Sequence, residues 1–589
     1  MENWVIKNKK ADFALIMDKF KVSEVMARCL VNRDLETPEE IDTFLHPSLD
    51  NLYNPFLLKD MEEACNILQK KIDEGRRIRI IGDYDVDGVV ATYILYRTLI
   101  ILGAKVDYQI PDRINDGYGI NARMVEDAYN EQVDTLLTCD NGITAIDEIK
   151  RAKEYGITVI ITDHHNPQQL EEGDVLPEAD AIINPKRIDC TYPYKGLCGG
   201  AVAYKLSVAL LSRYGYADAS DKSMSEYEKE LISYTAIATV CDVMELVDEN
   251  RIIVNNGLSF LRNTSNIGLL ALMKVCQINK EQLLAYHLGF IIGPCLNASG
   301  RLDSAMKGIK LLLSDTRDEA VELANEVFKL NVIRKDMTAE HVEKAIMLIE
   351  EENMLQDKIL VIYLGDCHES IAGIIAGRIR ERYYRPTLVL TNAQDGIKGS
   401  GRSIEGYNMI EELSKNRELM IKVGGHPMAA GLSLLPENIE LLRKALNENP
   451  PVTEEMLRPK VTIDVLLPLG YISEELVKEL GLLEPFGNGN AKPLFVEKDL
   501  IIKSLLVIGK RSNGIRFRVK NAYGREMDAL YFGDVDGFFT YISDTYGSEE
   551  VQCLKTGRGT KIKLTITYYP KLNEYNGYKS VQLIIQNYR

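Results

Sequence analysis

At 589 residues the chain is too long for one compact core, and 46% hydrophobic with 27% charged residues is the composition of an ordinary folded protein rather than a disordered or fibrous one. The net charge of −17 excludes broad, non-specific adhesion to nucleic acid, which needs clustered Lys and Arg to release counterions. Ten scattered cysteines without a C-x-x-C pair, no leading charged-then-apolar signal and no run of about 18 apolar residues point to a cytoplasmic protein with no membrane segment.

In chain order, residues 1–50 read as an N-terminal extension, and residues 51–250 as a parallel α/β domain. Short apolar runs alternate there with amphipathic ones. RIRII (77–81), KVDYQI (105–110), DTLLTCD (134–140), ITVIITD (157–163) and DAIINP (180–185) predict strands. Residues 89–102, 121–131 and 143–156 have helical spacing between them. Residues 251–352 form a helical connector whose last part, from 313 on, is a long polar–apolar pattern without Pro or Gly. A second α/β block spans 353–450, with ILVIYLG, a helical IAGIIAGRIRERY, then PTLVLT. From 451 to 589 strand-rich segments separated by Gly and Asn turns suit a small β-barrel. Within it, residues 501–589 carry 14 Lys and Arg against 8 Asp and Glu, so a basic end on an acidic chain hints at an anionic partner.

The chemistry concentrates after the predicted strands. In I-I-G-D-Y-D-V-D-G, Asp83, Asp85 and Asp87 alternate, and in an extended segment alternate residues share a face. Three carboxylates there repel one another unless cations neutralise them, and hard oxygen donors suit Mg²⁺ or Mn²⁺. Gly88 is expected to let the chain turn tightly into the helix. Asp140 ends DTLLTCD, Asp163 with His164 and His165 ends ITVIITDHH, and Asp242 follows a helical run. Strand C-termini are where open α/β sheets bind ligands, so distant residues can converge. A single Asp at a strand end is more often a turn or helix cap; three alternating ones reverse that preference. G-S-G-R-S (399–403) and G-G-H (424–426) read first as a glycine-rich hairpin. Nine tyrosines between 501 and 588, among them Tyr531, Tyr568, Tyr569 and Tyr578, interleave with cations as base stacking requires, yet tyrosine is also a common strand residue.

The order D-Y-D-V-D-G, C-D-N-G, D-H-H, C-D-V resembles the DHH phosphoesterase superfamily, and the whole chain resembles RecJ single-strand-specific exonucleases. L-N-A-S-G-R-L (296–302), H-E-S-I-A-G-I-I-A-G-R (368–378), G-G-H-P-M-A-A-G (424–431) and L-E-P-F-G-N-G-N (483–490) extend the likeness over nearly all of it. The resemblance implies a multidomain α/β fold: a parallel-sheet DHH domain, a long connecting helix, a DHH-associated domain and a C-terminal OB-fold. It implies two ions, Mn²⁺ or Mg²⁺, held by Asp83, Asp85, Asp87, Asp140, His164 and Asp242, with Asp140 bridging. Asp163 would orient a histidine and His165 would face the scissile phosphate. Arg301 would reach the phosphate near the metals, and Ser400, Arg402 and His426 would take the 5′ phosphate. The chain departs from the family at Cys367 and Ser370, where Trp and Gly are commoner, which weakens the role of His368. The implied activity is 5′→3′ hydrolysis of single-stranded DNA in repair and recombination, with a single-strand-binding protein and a helicase as partners. Two alternatives stay open: a phosphodiesterase acting on short RNA or linear dinucleotides, which would not require the region after 450, and a non-catalytic DNA-binding scaffold, which would not require the aspartates.

Overall fold

The computed structural model describes residues 2–170, 173–215, 226–393, 396–509, 512–556, 558, 560–575 and 577–589. It divides into two compact units, one from Leu49 to Pro459 and one made of the chain up to Ser48 together with Lys460–Arg589.

The larger unit opens on a five-stranded sheet of β1 (Arg77–Ile81), β2 (Lys105–Gln109), β3 (Thr135–Cys139), β4 (Thr158–Thr162) and β5 (Ala181–Ile183). All pairs are parallel and the order is β2-β1-β3-β4-β5. Each predicted strand forms, shortened by a residue or two at its ends except RIRII. Because side chains alternate along a strand, Ile78, Ile80 and Leu137 face one layer of helices, α1 (Val86–Ile101), α4 (Gly199–Arg213) and α5 (Glu226–Cys241). Ile81 and Leu136 face the other, α2 (Ala122–Asn130) and α3 (Ile146–Glu154). Burial on both faces explains why β3, β4 and β5 read as nearly continuous apolar runs, whereas the less buried β2 carries charged and polar residues. α1 is buried on nearly every side, which its uniformly apolar sequence demands. The strand order reverses between β1 and β3, so the crevice that open sheets use for ligands lies at their carboxyl ends.

Helices then lead through α6 (Gly293–Leu302) into α7 (Arg317–Glu351), which at 1.5 Å per residue is about 50 Å long. Its later turns, Ala345 and Ile349, pack in one core with α8 (Glu369–Tyr383). α8 crosses between the parallel strands β6 (Leu360–Tyr363) and β7 (Thr387–Ala393). The sheet continues antiparallel through β8 (Gly396–Arg402), β9 (Lys422–His426) and β10 (Ala429–Leu434), in the order β9-β10-β8-β7-β6. The G-S-G-R segment is thus a sheet strand.

The smaller unit holds β11 (Phe495–Ile508), β12 (Gly514–Lys520), β13 (Glu526–Phe532), helices α9 (Val535–Tyr546) and α10 (Ser548–Lys555), β14 (Lys563–Tyr575) and β15 (Tyr578–Tyr588). They pair in the order β11-β12-β13-β15-β14, and β14 pairs back onto β11, closing the five strands into a ring. This is OB-fold connectivity. The N-terminal strand Asn3–Ile6 pairs in parallel with Lys460–Ile463, and the helices at residues 24–45 share this unit's core. Tyr568 is fully buried there, its hydroxyl donating to Leu467 O, whereas Tyr578 is exposed and Lys492 lies 4.7 Å over Tyr569. Among the described residues no helix is long and apolar enough to cross a membrane.

Candidate metal centre and phosphate pocket

The D-Y-D-V-D-G segment does not run extended past Ile81. The chain turns over Gly82–Asp85, and Asp85 is the N-cap of α1, its carboxylate accepting from the amides of Asp87 (2.9 Å) and Gly88 (3.1 Å). Asp87 therefore sits inside the helix, and the three aspartates meet through a strand–turn–helix, not through one face of a strand. Gly88 serves close approach rather than a special turn: a Cβ there would lie 2.5 Å from Asp83 O and 2.6 Å from Asp83 N.

Convergence comes from several elements. Asp140 follows β3 in a left-handed backbone conformation, φ 62°, which Asp tolerates better than most residues. Asp163 and His164 follow β4, and Asp242 follows α5. Three overlapping groups result, each with ligand atoms within 4.8 Å of one another: Asp83, Asp85 and Asp140; Asp87, His164 and Asp242; and Asp140, His164 and His165. His164 Nε2 lies 3.1 Å from Asp140 Oδ1, 3.6 Å from Asp242 Oδ2 and 3.7 Å from Asp87 Oδ2.

Without cations this is a costly arrangement. Burial, then repulsion from Asp85, pushes Asp83 up to about 8. Asp140 and Asp242 rise well above the usual carboxylate range through burial and the neighbouring Asp87 and Asp85. Burial and His165 hold His164 down to about 4, so its ring is neutral and able to ligate. Asp140 Oδ1 and His164 Nδ1 are buried without a hydrogen-bond partner among the described residues. An unsatisfied buried oxygen, crowded carboxylates and a neutral imidazole, grouped around Asp140, fit two hard divalent cations.

Asp163 is different. Its Oδ1 accepts from the amides of His164 (2.7 Å) and His165 (3.1 Å) and from His165 Nδ1 (2.8 Å), and Oδ2 accepts from Ile143 N (2.9 Å). Burial alone would raise it, but His165 and these donors hold it at about 2. Burial would lower His165; the facing Asp163 outweighs it and raises it to about 9. Tyr118 completes this wall, donating to Asp140 O (2.7 Å) with its hydroxyl 3.0 Å from His165 Nδ1.

The second α/β block faces a cavity of about 270 Å³ bounded by Tyr84, Arg113, Ser370, Lys398 and Ser400. Arg402 approaches Ser400 Oγ at 3.3 Å. Arg301, at the end of α6, donates to Ser370 O (2.5 Å), and burial together with Arg113 and Arg334 lowers it to about 9. His368 caps α8, its Nδ1 2.7 Å from Ser370 Oγ. His426 is not drawn into this pocket. It is exposed at the end of the edge strand β9, paired to Ala429, which pairs in turn with Arg402, and its ring accepts from Met428 N (3.2 Å).

The sequence reading missed several residues. The amides of Gly199 (2.7 Å) and Gly200 (2.8 Å) at the start of α4 grip the Asp87 carboxylate, and a Cβ on Gly199 would lie 2.5 Å from Asp140 Cβ. A Cβ on Gly373 would lie 2.7 Å from Ser400 Oγ and 2.8 Å from an Arg402 nitrogen. The signal for the first was present, a Gly pair opening a helix in L-C-G-G-A. Tyr118 and Arg113 sit in an irregular segment with no periodicity to mark them.

Comparisons with known proteins accord with this geometry. The model of the DHH family, N-terminal domain, matches residues 77–239, the DHHA1 domain 356–449 and the RecJ OB domain 463–587. The single-stranded-DNA-specific exonuclease RecJ of Escherichia coli (strain K12) is 36% identical over 547 residues, 90% of each chain. That of Bacillus subtilis (strain 168) is 34% identical over 589 residues, 99% of this chain and 70% of the relative. The crystal structure of RecJ in complex with Mn²⁺ from Thermus thermophilus superposes with a TM-score of 0.81 at 27% identity, covering 100% of this chain and 79% of that one. With its parallel-sheet domain, its second block and its closed ring each matched in order along the chain, the protein belongs to the RecJ family of single-stranded-DNA-specific exonucleases.

Proposed function

We propose that the chain hydrolyses single-stranded DNA from the 5′ end, one nucleotide at a time. The observation that carries this is the set of three overlapping ligand groups sharing Asp140 and His164 at the switch point of the sheet, with a polar pocket lined by Arg113, Ser400 and the Lys398–Glu369 ion pair. Asp83, Asp85 and Asp140 would hold one cation, and Asp87, His164 and Asp242 the other, with Asp140 placed to serve both. Two such ions, Mg²⁺ or Mn²⁺, would activate water and neutralise phosphoryl oxygens.

The chain's own residues do the rest. Asp163, saturated by four donors, locks the His165 ring and its proton, and that imidazolium faces the phosphate undergoing displacement. Arg301, held by Ser370 O, adds positive charge toward the phosphate. Ser400 and Arg402 take the terminal 5′ phosphate, a fixed anchor that sets polarity and register. His426, whose strand partner Ala429 also pairs with Arg402, is the third candidate for this anchor. The same reading assigns the protein to the cytoplasm, to repair and recombination, and to partners that expose and cover single strands, a helicase and a single-strand-binding protein; family membership alone supports these.

The test offers 5′- and 3′-labelled single strands, the matching duplexes and dinucleotides, each with Mg²⁺ or Mn²⁺. Early release of the 5′ label as mononucleotide, from single strands only, is expected. Release from the 3′ end, or cleavage of dinucleotides alone, would overturn the proposal.

A further inference from the structure

At the start of α6 two thiols meet. Cys295, fully buried in the first turn of that helix, has its Sγ 3.7 Å from the sulfur of Cys276, a half-buried residue that ends the helix Ile267–Val275. Among the described residues this is the one sulfur–sulfur hydrogen bond made by the ten cysteines. The long helix α7 orients the pair. Asn331 Nδ2 donates to Cys295 Sγ (3.3 Å), and Arg334 donates twice to Asn331 Oδ1 (3.1 and 2.9 Å), which turns the amide nitrogen toward the sulfur. The Cys276 S–H, then Asn331 and the cations Lys335 and Arg334, hold Cys295 below the usual thiol range against its burial, while donating that proton keeps Cys276 above it. A cysteine that only packs is pushed up by burial instead, to about 12 at Cys29 and Cys65.

α6 is also a helix whose displacement reaches the metal centre. Gly293 abuts Cys241, which precedes Asp242, so closely that a Cβ there would collide with the sulfur. Asn297 Oδ1 accepts from Val86 N (3.2 Å) in the aspartate motif, and Arg301 stands near the end of the same helix. The helix facing Cys295 cannot absorb all of a movement: Leu269, Leu272 and Met273 belong to the core, and a Cβ on Gly268 would collide with Leu311 O.

We propose that Cys276 and Cys295 are a modification site, a thiol pair that hydrogen peroxide closes into a disulfide, and that closure slows the exonuclease by shifting α6. Closure itself stands apart from the exonuclease reading; the slowing rests on it. Passing its proton across the 3.7 Å contact to Cys295 makes the more accessible Cys276 the thiolate. That sulfur attacks one peroxide oxygen, the O–O bond breaks, and the departing hydroxide takes the proton from Cys295 to become water. The Cys295 thiolate then attacks the Cys276 sulfenic acid, the S–O bond breaks, and the second hydroxide leaves as water with a proton from solvent. Two sulfurs lose two electrons and one peroxide becomes two waters. A covalent bond is about 1.7 Å shorter than the present contact, and since a shift near 1 Å can cost about a hundredfold, a closure shared between two helices and two rotating side chains is expected to cost about tenfold.

The test treats the full chain with hydrogen peroxide, clears it with catalase, maps disulfides by alkylation and peptide mass without reductant, and follows hydrolysis of a 5′-labelled single strand in Mg²⁺. A cross-linked peptide joining Cys276 to Cys295 and a kcat about tenfold lower are expected, both reversed by dithiothreitol. Cys276→Ser and Cys276→Ala, at a half-buried helix end, are expected to turn over like wild type when reduced and to resist peroxide. Absence of the cross-link overturns the site. A cross-link with unchanged kcat overturns the slowing, as does equal inhibition of the Cys276 variants, which would trace the loss to another cysteine. Reduced wild-type protein that does not degrade the strand overturns the exonuclease reading and the slowing with it, whereas a cross-link formed in that protein still supports the modification site.

Discussion

Gly199→Ala perturbs the metal centre without touching a single ligand. The methyl would sit 2.5 Å from Asp140 Cβ, 2.6 Å from its Oδ1 and 2.7 Å from its Cγ, whereas ordinary contact begins at 3.4 Å. Either Asp140 or the start of α4 must retreat by about 0.9 Å, and a displacement near 1 Å costs about a hundredfold in rate when it misplaces a catalytic group. α4 cannot retreat freely, because the Gly199 and Gly200 amides hold Asp87 at 2.7 and 2.8 Å. Any compromise therefore disturbs Asp140 or Asp87, one in each half of the centre. Steady-state hydrolysis of a labelled single strand with saturating Mn²⁺ should show kcat down about a hundredfold, roughly 2.7 kcal/mol, with KM nearly constant. The added methyl overpacks by about 1–3 kcal/mol, so the melting temperature should fall by only a few degrees. Gly481→Ala, whose methyl would enter open space, is the control and should be fully active. A folded Gly199→Ala protein with wild-type kcat would refute the placement of Asp140 against α4.

Asp140→Ala should abolish hydrolysis and, in EDTA, raise the melting temperature, since it removes a buried carboxylate repelled by Asp87, Asp85 and Asp242; calorimetry with and without Mn²⁺ checks both. Wild-type protein should gain stability from the metal, about 2.7 kcal/mol at a hundredfold excess over Kd, and the variant should gain much less. Arg402→Ala should erase most of the preference for 5′-phosphorylated ends over hydroxyl ends, measured as a ratio of kcat/KM, and Gly373→Ala should do the same by crowding Ser400 Oγ. Lys205→Met should destabilise by about 3–5 kcal/mol in urea titration, because the fully buried Glu249 loses the ammonium at 2.5 Å. Burial would raise Asp107, but hydrogen bonds from Arg79 and Arg77 outweigh it and its pKa lies below 3.8. The stability it contributes is thus present above about pH 4 and lost as pH falls through the depressed value, and Asp107→Asn should flatten that acid limb of the melting curve.

What the sequence made legible depended on whether a physical rule acts over a few residues or over the whole fold. RIRII could be placed to the residue because its β-branched Ile78, Ile80 and Ile81 stand between a helical run and the turn-forming Gly82 and Asp83. The long helix at 317–351 was visible because about ten turns without Pro or Gly leave no other reading. The two helices between β13 and β14 were overlooked: they are short, and although Phe538 and Ile542, and Val551 and Leu554, have helical spacing, one buried pair in each is a weak signal among strand-rich neighbours. Nothing in residues 1–50 foretold their core-sharing with the last strands, since that pairing spans more than 400 positions.

The metal centre divides along the same line. Asp83, Asp85 and Asp87 were expected together for the wrong local reason, alternation along an extended segment, whereas Asp85 caps a helix that Asp87 has already entered. The turn has a consequence that alternation could not supply. It sends Asp83 and Asp85 toward Asp140 and Asp87 toward His164 and Asp242, so one nine-residue motif furnishes both halves of the centre. The close approach of Gly88 to Asp83 and of Gly199 to Asp140, where a Cβ would lie 2.5 Å from its neighbour, fixes these carboxylates against the two helix starts, so any cations they would hold would be bound by preset groups. Gly88 and Gly199 thus bear on the site without supplying a ligand, because a methyl at either would displace Asp83 or Asp140 and leave every donor in the chain.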